Sequence, residues 1–120
     1  MHDTTPAAVV VESAPLWVVS DMVQNGHYDV VIVMSEDDEV LGLLRRDAVL
    51  RLAPRLPEAP VRMLPLQRAL EIEEATTLSQ ARALFDLDEE VQALLIEKPM
   101  MQGWTVLLRE SVEELRREVA

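Results

Sequence analysis

The chain of 120 residues contains no cysteine, which excludes a disulfide framework, a thiolate metal site and thiol catalysis. Aromatics are nearly absent too: Trp17, Tyr28, Phe85 and Trp104 are the only four, so the core has to be aliphatic. No stretch approaches the ~18 apolar residues of a membrane span, and Met1-His2-Asp3-Thr4-Thr5-Pro6 has neither the basic start nor the apolar run of a targeting segment. The expectation is a soluble cytoplasmic protein without a membrane surface. No glycine-rich phosphate loop, nucleophile–base pair or metal-ligand cluster is visible, so the chain is not expected to be an enzyme.

Lys and Arg are absent from the whole of residues 1–44, which hold eight acids. Residues 45–68 hold six Arg and two acids, and residues 69–120 hold five bases and twelve acids, giving net values of −8, +4 and −7. The total of −11 argues against a nucleic-acid partner, because phosphate backbones need basic area. Apolar residues make up 49% of the chain, enough for one packed domain or two half-domains.

What is present is a repeat. Ala93-Leu94-Leu95-Ile96 follows Val30-Val31-Ile32-Val33 by 63 positions, and Leu107-Leu108-Arg109 follows Leu43-Leu44-Arg45 by 64. Ile72, Thr76 and Phe85 stand 63 positions after Val9, Ser13 and Met22. A period this long, occurring twice, specifies two lobes related by pseudo-twofold symmetry rather than a solenoid.

In the first lobe Val9-Val10-Val11 reads as a buried strand. Ser13 offers a helix N-cap, with Pro15 in the first turn and Leu16, Val19, Met22 and Val23 on one face; Asn25-Gly26 is expected to end that helix. Val30–Met34 and Val40–Leu44 form a hairpin around Ser35–Glu39, and Ala48, Val49 and Leu52 mark a short helix stopped by Pro54. Four prolines between 54 and 66 specify a linker. The cycle then restarts with a strand at Leu70–Ile72, a capping box Thr77-Leu78-Ser79-Gln80, and an apolar face of Leu78, Ala81, Leu84 and Phe85. Val91–Ile96 and Trp104–Leu108 form the second hairpin, and Val112, Leu115 and Val119 line a last helix whose C-terminal dipole suits Arg116 and Arg117.

This order, occurring twice, resembles a tandem pair of cystathionine-beta-synthase (CBS) domains, the Bateman module. The likeness covers roughly residues 8–119 and is clearest in Thr76–Phe85 followed by Val91–Ile96, with Asp29–Val33 and Val40–Asp47 fitting in the first lobe. It implies an α/β (α+β) fold of two β-α-β-β-α repeats packed through their sheets: repeat one at 8–53, a proline-rich linker at 54–69, and repeat two at 70–119. It further implies a stand-alone regulatory module, a homodimer, and clefts for an adenine nucleotide or S-adenosylmethionine.

The family's ribose-phosphate signature departs here. In Gly42-Leu43-Leu44-Arg45-Arg46-Asp47-Ala48, Arg45 stands where the hydroxyl belongs and Ala48 where the ribose-binding Asp belongs. In the second lobe Val106-Leu107-Leu108-Arg109-Glu110-Ser111-Val112 lacks glycine, hydroxyl and carboxylate. Alanine and valine cannot accept ribose hydroxyl bonds, so ordinary nucleotide binding is not expected. Asp47, one residue early, would compensate only if the helix start rotated.

Arg45 and Arg109, read as equivalent, could fork onto a small anionic metabolite at a helix start, with Asp47 and Ser111 beside them; alternatively each pairs with an acidic neighbour. The wider series Arg46, Arg51, Arg55, Arg62 and Arg68 is read either as one face for a dimer or anionic partner, or as solvated helix and linker. Trp17 falls off its helix's apolar face and is the candidate dimer anchor. Met100, Met101 and Trp104 offer either partner surface or packing under the hairpin. His2 and His27 lack metal-ligand spacing, and Glu36-Asp37-Asp38-Glu39 is a hairpin tip, not a calcium loop. A ligand-free module used for oligomerisation or docking is the alternative function, and the regulated downstream protein is not specified by the sequence.

Overall fold

Strand β1, Ala7–Val11, alternates Ala8 and Val10 inward with Val9 and Val11 outward, the two-residue period of a half-covered edge strand. It runs parallel to β2, Val30–Met34, with Ala7 opposite Val30 and Val11 opposite Met34. A parallel pair cannot be joined by a tight turn, and the crossover is helix α1, Leu16–Gly26. β2 then turns through residues 35–39 into antiparallel β3, Val40–Arg45, giving the sheet order β1-β2-β3. The turn is held by Ser35, whose Oγ accepts from the amides of Asp37 and Glu39 at 3.1 Å each, while Asp38 takes the left-handed conformation at φ 64°.

The computed structural model describes residues 7–98 and 103–119, excepting the side chains of 98 and 115–119. His2, Met100 and Met101 lie outside these, as do the side chains of Leu115, Arg116, Arg117 and Val119. The chain divides into two compact units at Gln67/Arg68.

In the first unit Leu16, Val19 and Val23 of α1 are fully buried against Ala8, Val10, Val31, Val33 and Leu44, with Val49 of helix α2, Arg46–Leu52, closing the cluster. Each such side chain contributes about 1.5–3 kcal/mol on burial. The start of α1 differs from the sequence expectation. Pro15 occupies the N-cap with no side-chain cap, and Ser13 is exposed. Instead the amides of Leu16 and Trp17 donate to the carbonyls of Ala59 and Pro57, both at 3.0 Å.

α1 ends at Gly26 as expected, but not through the conformation of that glycine. His27, not Gly26, adopts the left-handed conformation, at φ 55°. Gly26 is small for another reason: a Cβ there would run into the Tyr28 ring.

The proline-rich stretch folds onto the first unit. Val61 and Arg62 donate to the carbonyls of Ala14 and Glu12 at 2.8 and 3.0 Å, and a 3-10 turn, Val61–Met63, buries Val61. Gln67 pairs with Leu43 in both directions, at 2.8 and 2.9 Å, on the free edge of β3. Gly42 permits this approach, since a Cβ would lie 2.7 Å from Leu66 Cβ and 2.8 Å from the Gln67 carbonyl.

The second unit repeats the plan with β4, Arg68–Ile72, α3, Leu78–Leu87, β5, Val91–Lys98, β6, Gly103–Leu108, and α4, Arg109–Val119. Its sheet order is β4-β5-β6, parallel then antiparallel. Ala81, Phe85, Val91, Leu94, Leu107 and Val112 form its core. The capping box at α3 is present as expected: the Gln80 amide donates to Thr77 Oγ1 at 3.2 Å and the Thr77 amide to Gln80 Oε1 at 2.9 Å.

Candidate anion-binding site

Arg45 is the last residue of β3 and the residue before α2, held extended at φ −84°, ψ 150°. Its Nε donates to Gln67 Oε1 at 2.9 Å, a bond that exists because the Leu43–Gln67 pairing places Gln67 beside the end of β3. A pocket of ≈ 210 Å³ opens here, lined by Leu43, Arg45, Ala48, Arg51, Pro65 and Gln67 among others. Ala48 and Arg51 share a face of α2, being three residues apart on a helix. Two arginines therefore line the pocket together with the apolar Leu43, Leu44, Ala48, Leu52 and Pro65, and among the described residues no carboxylate lines it. Such a setting favours an anion, which an arginine fork binds with directed hydrogen bonds.

The other sequence candidates are not brought to this pocket. Asp47 sits exposed in the first turn of α2 and is not part of the lining, while Ala48 is. The helix start thus leaves Ala48, not a carboxylate, facing the pocket. Ser111 is half-buried in the first turn of α4 and lines neither of the pockets described here. Trp17 is 49% exposed on α1.

Arg109 is not the structural equivalent of Arg45. Val30 pairs with Arg45 and Ala93 with Leu108, so the two hairpins are offset by 63 at this end, which matches Arg45 with Leu108 and Arg46 with Arg109. The two matched arginines do the same work. Arg109 donates from Nε to the Val91 carbonyl at 2.8 Å and from Nη2 to those of Phe85 and Asp88 at 2.8 and 2.6 Å; its guanidinium lies 4.9 Å from the Phe85 ring centroid and its Nη1 is 3.8 Å from Glu113 Oε1. Arg46 donates from Nη1 to the carbonyls of Val23 and Tyr28. Each staples the end of the crossover helix, and the loop after it, to the start of the last helix. These cations satisfy helix-terminal carbonyls that otherwise lack partners.

The arginine series therefore has several jobs. Arg46 staples backbone, Arg51 lines the pocket, and Arg68 pairs with Asp88 at 3.3 Å and Glu90 at 3.9 Å, leaving Arg55 and Arg62 exposed. Sequence reading missed Arg51 and Gln67 as site residues. The spacing of Arg51 from Ala48 was a usable signal; the placement of Gln67 depends on a one-residue strand pairing that has no pattern.

The second unit carries a different cavity, an open groove of ≈ 600 Å³ where β4 passes into α3, lined by Ile72, Glu73, Thr76, Gln80, Ala83 and Leu84 among others. Among the described residues no helix is long and apolar enough to cross a membrane.

Two β-α-β-β-α units, each with a parallel pair bridged by a helix and closed by a hairpin and a second helix, define a duplicated α/β module. This is the fold of a CBS-domain pair. A CBS domain-containing protein of unknown function from Kribbella flavida superposes with a TM-score of 0.68 at 14% identity, covering 93% of this chain and 94% of its own. A hemolysin-like protein containing a CBS domain from Oenococcus oeni gives 0.68 at 12% identity, covering 90% and 79%. The CBS domains of a transcriptional regulator from Streptococcus pneumoniae give 0.58 at 14% identity, covering 89% and 86%. No protein-family model and no curated protein matches the sequence.

Proposed function

We propose that the chain is a regulatory CBS-pair module that binds a small anionic metabolite through its first repeat. The observation that carries this reading is the Arg45–Arg51 pocket, two cations and a glutamine with no carboxylate in the lining among the described residues. At ≈ 210 Å³ it falls below the roughly 300–1,000 Å³ of typical organic-ligand pockets, so it suits a phosphate or carboxylate group, with the rest of the metabolite outside. An adenine nucleotide or S-adenosylmethionine would here be held by its anionic group, because Ala48 offers no acceptor to a ribose. Catalysis has no part in this reading, and the regulated downstream protein is reached through a change in shape or affinity when the anion binds.

The test is a thermal-shift panel of inorganic phosphate, AMP, ATP and S-adenosylmethionine. A ligand that binds only the folded state stabilises it by about 2.7 kcal/mol at a hundredfold excess over its dissociation constant. At least one anion should raise the melting temperature, Arg45→Ala should abolish the rise, and Arg51→Ala should reduce it. A flat panel, or a rise indifferent to Arg45→Ala, overturns the reading.

A further inference from the structure

The Arg45 pocket combines a few cationic and amide groups with a larger number of hydrocarbon ones, and that imbalance selects among anions. Arg45, Arg51 and Gln67 supply the polar groups, while Leu43, Leu44, Ala48, Leu52 and Pro65 are apolar. All of these belong to the first unit, which is described from Ala7 through its last residue, Gln67. Gln67 Oε1 accepts from Arg45 Nε at 2.9 Å, so the other end of that carboxamide, its NH2, is a donor as well. Ala48 stands three residues before Arg51 and four before Leu52, so one side of α2 supplies both a charge and an apolar surface. A phosphate carries oxygens on every side, and those set against leucine and proline would lose water without gaining a donor. A carboxylate carries its charge at one end only. Its two oxygens suit an arginine fork and a neighbouring amide, and a hydrocarbon tail suits the leucines. Size agrees, since ≈ 210 Å³ is the room of about seven waters and so holds an acid of about four to six carbons.

We propose that the pocket takes a short aliphatic monocarboxylate, its carboxylate on Arg45 and Arg51 and its alkyl tail against Leu43, Ala48 and Leu52. This rests on the anion-binding reading above and narrows the ligand to one chemical class. The same groups discriminate against near relatives of that class. An amino acid of equal length would bring its ammonium beside two guanidiniums, and the matching alcohol would offer the arginines no charge.

The probes are acetate, butanoate, hexanoate and octanoate, with inorganic phosphate, butanol and free leucine beside them, each titrated at neutral pH into the full, isotope-labelled chain. Amide chemical shifts at Leu43, Ala48, Leu52 and Gln67 report occupancy. Affinity should rise roughly three- to fourfold per added methylene up to hexanoate, the usual effect of burying hydrocarbon, and then stop rising as the pocket fills. Phosphate, butanol and leucine should each bind roughly tenfold more weakly than hexanoate. Arg51→Ala should weaken every acid, and Leu52→Asn should flatten the dependence on tail length without weakening acetate. Affinity that climbs on from hexanoate to octanoate, or that survives Arg51→Ala, would be unspecific apolar adsorption and would overturn the proposal. Phosphate binding as tight as that of hexanoate and lost in Arg45→Ala would also overturn it, while leaving the anion-binding reading in place. No shift with any anion at millimolar concentration would overturn both.

Discussion

Adjacent arginines at the start of α2 have unlike duties, and the difference is testable one residue at a time. Arg109 is 18% exposed at its side chain and donates to three backbone carbonyls; its true counterpart, Arg46, donates to two. Truncating it strands several part-buried acceptors, each costing on the order of 1–3 kcal/mol. Arg109→Ala should therefore lower the unfolding free energy in urea by about 2–4 kcal/mol, with partial recovery in Arg109→Lys, because one ammonium cannot fork onto several carbonyls. Arg45→Ala, which loses the hydrogen bond to Gln67 Oε1, should cost less, about 0.5–1.5 kcal/mol. Equal costs at the two positions would refute the division of labour. The sequence offered both matches for Arg109: the Leu-Leu-Arg likeness pointed to Arg45 at 64, while the offset of 63 between Val30 and Ala93 pointed to Arg46. Only the strand pairing chooses between them, since a single-residue slip reverses every side chain.

At the scale of elements, the strands and helices were legible because their cues are local: β-branched runs for β1 and β2, a capping box for α3, proline after α2. The proline-rich segment was legible only as non-helical. Its destination was not, since its backbone partners, Glu12, Ala14, Leu16 and Trp17, lie about 45 residues away and leave no periodicity. The anion pocket inherits that opacity, because Pro65 and Gln67 reach it through the same segment. Two helices built by one repeat should accordingly fail in two ways. Thr77→Ala should destabilise α3 by about 1 kcal/mol, the usual worth of an N-cap. Inserting two glycines after Glu58 should instead strip hydrogen-exchange protection from the Leu16 and Trp17 amides while leaving that of Gln80 intact. If the insertion leaves Leu16 and Trp17 protected, the segment is not the cap of α1.

For the whole molecule, the duplication gave the architecture, and function has to be sought where the copies differ: Arg45 against Leu108, and a borrowed cap against a built one. Self-association belongs to this scale. Trp17 and Leu56 are 49% and 51% exposed, and the Trp17 amide donates to the carbonyl of Pro57, next to Leu56, so two large apolar side chains share one region of the first unit. An exposed tryptophan beside a leucine is the kind of anchor that dominates an interface, and the homodimer that the CBS-pair resemblance implies should rest on it. The competing basis is the basic stretch around Arg55 and Arg62, both exposed. Salt separates the two, because attraction between exposed charges is screened beyond about 3 Å at 1 M while apolar burial is not weakened. Sedimentation equilibrium should show a dimer that persists at 1 M salt, and Trp17→Ser should weaken it by more than about tenfold, corresponding to at least 1.4 kcal/mol. A dimer that dissolves in salt and ignores Trp17→Ser would move the interface to the arginines. A monomer at all concentrations would leave Trp17 as surface for another protein.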